Sequence, residues 1–155
     1  MSNMDDILRI IEALSQVLGQ QDQPAQQPPF GRVRNTYASE ESFFKSNPGV
    51  AGMATEDQAV VLNPLRNFTA NELDSVVRNE RVRLLISSGK IPKPTFEPSK
   101  SQRKALGGYS GSSDDFLATI AARAASGDPS IGSVTNQQKA YVDSYVLPKL
   151  KELGW

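Results

Sequence analysis

Glu80 has the surroundings closest to a chemical site in this sequence. It lies in Val76-Val77-Arg78-Asn79-Glu80-Arg81-Val82-Arg83, downstream of the apolar run and turn Val60-Val61-Leu62-Asn63-Pro64. A helical carboxylate with a metal ligand just before it and another three residues after it can activate metal-bound water. Asn79 and Arg83 hold those two places here, and a guanidinium cannot ligate a metal. The carboxylate pairs Glu56-Asp57 and Asp114-Asp115 could in principle serve magnesium or glycoside chemistry. The first pair, however, falls in a turn, and the second complements the positive end of a helix. Asn47-Pro48-Gly49 and Gly107-Gly108-Tyr109-Ser110-Gly111 are turn and loop chemistry, with no Gly-Lys-Ser/Thr to cradle a phosphate. No catalytic, cofactor-binding or metal residue is therefore expected, and the chain reads as a non-enzyme.

Strand, turn and helix in this order resemble the core of zinc metalloproteases, but only Glu80 matches their helical motif. The catalytic expectation fails on Asn79 and Arg83. Glu80, Arg81 and Arg83 are then expected to form a charged helix face, with Arg83 in reach of Asn79 or Glu80.

Composition supports this exclusion. The 155 residues include no cysteine and no histidine. Thiolate chemistry is excluded, as are the commonest general base and transition-metal ligand. Lys+Arg and Asp+Glu each total 17. That balance lacks the basic excess of nucleic-acid-binding domains and offers little protection against self-association. Arg78, Arg81, Arg83, Lys90, Lys93, Lys100, Arg103 and Lys104 make a possible basic face, but acids interrupt it and nucleic acid is not an expected partner. The start, Met1-Ser2-Asn3-Met4-Asp5-Asp6, lacks the basic end and long apolar run of a signal peptide. No stretch is apolar enough to span a membrane.

The spacing predicts a mainly α protein, a small helical body with one minor β-strand. An amphipathic N-terminal helix and an extended Gln/Pro-rich arm precede it. Residues 1–19 form the helix, 20–30 the arm and 31–155 the body. In the first helix Ile7, Leu8, Ile10, Ile11, Leu14, Val17 and Leu18 share an apolar stripe, opposite Arg9, Glu12 and Gln16. Gln20-Gln21-Asp22-Gln23-Pro24-Ala25-Gln26-Gln27-Pro28-Pro29 is polar and proline-containing, and so extended. The stripe lacks the lysine and arginine excess of a membrane-surface helix, which favours a helix–helix or helix-in-groove contact. Ile7, Leu8, Ile10, Ile11, Leu14, Val17, Leu18, Pro28, Pro29 and Phe30 are the expected partner-binding residues.

Within the body, a short helix is expected over Ser39–Lys45 and a strand over Ala59–Asn63. Thr69-Ala70-Asn71-Glu72 is a capping box opening a helix to about Ser88, ended by Gly89. Its buried side should hold Leu73, Val76, Val77, Val82, Leu84, Leu85 and Ile86. Three prolines make Lys90–Pro98 an ordered strap or a loop. Helices then follow over Ser99–Leu106, over Ser113–Ser126 and from the capping box Thr135-Asn136-Gln137-Gln138 toward Leu153. Pro148 should kink or break the last.

Several phrases resemble small virion-associated proteins of short-tailed bacteriophages. They are Phe43-Phe44-Lys45-Ser46-Asn47-Pro48-Gly49-Val50-Ala51-Gly52-Met53-Ala54, Val61-Leu62-Asn63-Pro64 and Arg78-Asn79-Glu80-Arg81-Val82-Arg83-Leu84. Thr119-Ile120-Ala121-Ala122-Arg123 and Ser126-Gly127-Asp128-Pro129-Ser130 follow, so that residues 40–150 are covered. The resemblance implies a structural component of a capsid, head–tail or tail assembly, made in the host cytoplasm and residing in the virion. Its partners would be other virion proteins in a symmetric array. A small phage regulator that binds a host protein or nucleic acid is the alternative expectation.

Overall fold

A computed structural model describes residues 28–107 and 113–155, together with Ile7, Arg9 and Ile10. The mainly helical class is borne out. The elements are β1 (Arg32–Val33), α1 (Ala38–Ser46), β2 (Gly52–Ala54), β3 (Ala59–Leu62), α2 (Ala70–Ser87), α3 (Lys100–Ala105), α4 (Ser113–Ala125), α5 (Asn136–Tyr141) and α6 (Leu147–Glu152). A 3₁₀ turn at Pro129–Ile131 precedes α5, and a π-helical segment, Val142–Val146, joins α5 to α6.

The expected strand is the centre of a three-stranded sheet ordered β1-β3-β2. Ala59, Val60 and Val61 are fully buried. Burial on both faces is why β3 reads as an unbroken apolar run. Its two neighbours, β1 parallel and β2 antiparallel, are too short to show a period-two pattern and were not expected. Arg34 fastens the sheet to α1. Its five N–H groups donate to Glu40 (2.7 and 2.8 Å), Asp57 (3.0 Å twice) and the Asn35 carbonyl (2.9 Å). Asp57 also accepts from Arg32, and Glu40 accepts the Tyr37 N–H that opens α1. The Glu56-Asp57 turn is therefore an anchor for two arginines, and the bonds from Arg34 and from the Thr55 hydroxyl hold the Asp57 carboxyl well below its ordinary range.

The Thr69 hydroxyl accepts from the Glu72 N–H to start α2, and Gly89 closes it in the left-handed conformation at φ 77°. This helix packs against β2, β3 and α4. Val82, Leu84, Leu85 and Ile86 are buried as expected, but Leu73 is 38% exposed. It lies in the first turn, beyond the reach of the core. The main core joins Val82, Leu85 and Ile86 to Ile120 and Ala121 of α4, Ile91 and Phe96 of the strap, Ile131, and Tyr141, Val142, Val146 and Leu150 near the C-terminus. The strap is ordered by those two apolar plugs and by the Tyr141 hydroxyl, which donates to the Pro92 carbonyl at 2.6 Å.

Two capping boxes meet in the interior. Ser99 and Gln102 form one, Thr135 and Gln138 the other. Both glutamines are fully buried, and their amides bond reciprocally at 2.6 and 2.7 Å. Each amide also donates to a carbonyl, Ser133 or Glu97, and accepts its own cap N–H. Every donor and acceptor of the pair is satisfied, so burial carries no unmade hydrogen bond. As expected, the C-terminal helix is interrupted at Pro148: the α-helical turns give way to the π segment Val142–Val146, and Pro148 sits at the start of α6. The π-helical segment just before it widens the turn and accommodates the missing N–H.

Candidate functional site

Of the expected partner-binding stripe, Ile7 and Ile10 are helical and 51% and 59% exposed. Leu8, Ile11, Leu14, Val17 and Leu18 lie outside the described residues, as do the arm from 20 to 27 and the glycine-rich loop from 108 to 112. Pro28 and Pro29 are exposed. Phe30 is used within the body. Its ring stacks on Trp155 with centroids 6.0 Å apart, and the Lys90 ammonium lies 4.8 Å above it. Arg81 covers the Trp155 ring at 4.6 Å and donates to the Gly31 carbonyl at 2.9 Å. Gly31 has φ 71°, and a Cβ there would lie 2.6 Å from the Trp155 ring. The arm thus leaves the body at a clamp built from Phe30, Gly31, Arg81 and Trp155.

The expected charged face of α2 is corrected by packing. Glu80 is only 8% exposed, and Arg81 is drawn under Trp155. Arg83 pairs with Asp115 of α4 and keeps its other terminal nitrogen 3.9 Å from the Glu80 carboxylate. Burial pushes the Glu80 carboxyl up to about 7, against the opposing pull of Arg83 and of a hydrogen bond from the Ala54 N–H. Other members of the basic face meet acids at the surface. Lys93 pairs with Asp114, and Arg103 approaches Glu97. Arg78, Lys100 and Lys104 remain exposed.

Glu80 also floors a groove of about 250 Å³ between the Gly49–Gly52 segment, α2 and α4. Asn79, Arg83, Thr119 and Arg123 complete its polar lining. The wall is fixed by buried Asn63, whose amide donates to the Val50 carbonyl at 2.8 Å, and by Gly52, where a Cβ would come 2.9 Å from Val76. Sequence reasoning placed Asn79, Glu80 and Arg83 on one helix face beside a strand. It missed that β2 would cover this face, because three residues carry no strand signal.

The β2 edge explains why Glu80 is buried. Asn63 N–H donates to the Ala51 carbonyl and Thr55 N–H to the Ala59 carbonyl. Residues 51 and 55 therefore face β3, and strand alternation turns the backbone groups of Gly52 and Ala54 the other way. The Glu80 carboxylate lies on that side, near the Ala54 N–H. Among the described residues, no three acidic side chains converge as a metal-binding group. No helix among them is long and apolar enough to cross a membrane. The chain matches no protein-family model, no curated protein and no solved structure.

Proposed function

We propose that the protein is a non-enzymatic assembly component whose N-terminal helix docks on a partner protein, while the body acts as a rigid platform. One observation supports this above the others. Ile7 and Ile10 are more than half exposed, although the sequence sets them in a seven-residue apolar stripe. Burying that stripe against a partner would release roughly 1.5–3 kcal/mol per side chain, before the cost of ordering the arm. Repetition in a symmetric array would add avidity without new contacts. The resemblance over residues 40–150 makes the assembly a bacteriophage particle, with capsid, head–tail or tail proteins as partners.

The test is incorporation. Particles purified from cells expressing the intact chain should carry it at a fixed copy number by quantitative mass spectrometry. Ile10→Asp should abolish incorporation and leave the melting temperature of the free protein unchanged. Particles with no trace of the intact chain would overturn the assignment. Strongly salt-dependent binding of the free protein to DNA would favour a regulator instead.

A further inference from the structure

Arg83 stands between two carboxylates of unequal burial. Glu80, one turn earlier on α2, has a side chain only 11% exposed, and a terminal nitrogen of Arg83 lies 3.9 Å from its carboxylate. Asp115 on α4 has a side chain 39% exposed and takes the other terminal nitrogen in a direct ion pair. At 3.9 Å there is no hydrogen bond, so the guanidinium is bonded to the acid that needs it less. That arrangement suits a protonated Glu80, because a neutral carboxyl tolerates burial. An ionised carboxylate stripped of water does so only with a bonded counter-charge. Asp115 keeps water on its exposed side and can release its arginine at small cost. The other groups around Glu80 do not replace Arg83. The Gly49–Gly52 segment and β2 carry no ionisable side chain, and Asn79 and Thr119 are uncharged. Arg123 of α4 lines the same groove but donates to the Ser130 hydroxyl at 3.3 Å. Arg83 and Asp115 are the charges that act on Glu80.

We propose that Arg83 is a proton-governed latch between α2 and α4. With Glu80 protonated, it bonds Asp115 and ties the two helices. With Glu80 ionised, it moves by roughly 1 Å, from 3.9 Å to charge-assisted bonding distance of Glu80, and releases Asp115. The helices stay packed throughout, because Val82 and Leu85 of α2 share the core with Ile120 and Ala121 of α4. The groove is what changes, since Arg83 forms part of its lining. Two discrete arrangements biased by one proton make a pH switch, and Glu80 titrates at about 7, where the switch is centred. The device lies wholly in the body and stands apart from the docking role of the N-terminal helix.

Side-chain NMR of the full chain, labelled with ¹³C and ¹⁵N, reads the latch between pH 5.5 and pH 8.5. At these ends the protonated and the ionised form of Glu80 are each in excess by about 30-fold. The nuclear Overhauser contact from the Arg83 δ-protons to the Asp115 β-protons should be present at pH 5.5 and lost at pH 8.5. The contact to the Glu80 γ-protons should grow as it goes, and both changes should share the midpoint of the Glu80 carboxyl carbon. Glu80→Gln should keep the Asp115 contact at both ends. An Asp115 contact that persists at pH 8.5 overturns the proposal, as does one lost equally in Glu80→Gln. So does a midpoint different from that of Glu80, which decides the matter without the variant. Collapse of the folded spectrum at pH 8.5 also overturns it, because the buried charge would then be relieved by unfolding and not by the swing of Arg83.

Discussion

At the scale of single residues, Glu80 sets the pH response. Its folded-state value of about 7 lies above the ordinary 4.5, so the folded protein holds this proton more tightly than the unfolded chain. Stability is then fully present below about pH 4.5 and falls as pH rises through about 7. The shift corresponds to about 3 kcal/mol at most. Asp57 and Glu40 act in the opposite sense. Their arginine contacts lower both values, giving stability that is present above about pH 4 and lost as pH falls further. Denaturant unfolding across pH should therefore show a maximum near about pH 5. Glu80→Gln keeps the side chain's size and polarity and removes the buried charge. It should flatten the decline between pH 5 and 8 and stabilise the protein by up to about 3 kcal/mol at pH 8. An unchanged slope would show that Glu80 does not titrate in this interval. Glu80 appears in sequence as one more charge on a polar helix. Its burial depends on β2, which no local pattern announces.

At the scale of elements, the Gln102–Gln138 pair ties α3 to α5, and both belong to capping boxes. Gln102→Leu removes a cap and strands the Gln138 amide together with the Ser99 N–H and the Ser133 carbonyl. Its cost should be about 3 kcal/mol by chemical denaturation. The double substitution of both glutamines by Leu should cost less than the sum of the two single ones, because the second removes groups already left unpaired. A strictly additive result would contradict the reciprocal pairing. The Thr135 box was legible as a local motif, and Ser99-x-x-Gln102 carries the same signal. Their meeting was not legible, since nothing in either tetrad encodes a bond across 36 residues. Helix boundaries were readable from Thr69, Gly89 and Gly127, whose backbone chemistry is local. Pro148 marked a break in the regular helix, but its form, a π-helical segment, was not legible.

At the scale of the whole molecule, the body closes on itself where Phe30, Arg81 and Trp155 pack together. Trp155→Ala should destabilise it by about 2 kcal/mol in thermal unfolding, less than a fully buried tryptophan would cost because the ring is partly exposed. An unchanged melting temperature would show that the clamp contributes nothing. The clamp joining Phe30 to Trp155 spans the chain and was not legible in the sequence. The central claim is that the N-terminal helix serves a foreign partner and the body stands without it. Light scattering on the intact chain and on a version lacking residues 1–29 tests this directly. Both should be monomers with the same cooperative unfolding transition, because the core of the described residues joins elements from Phe30 to Trp155. A defined oligomer of the intact chain that falls to monomer on truncation would make the helix a self-assembly device and contradict the account.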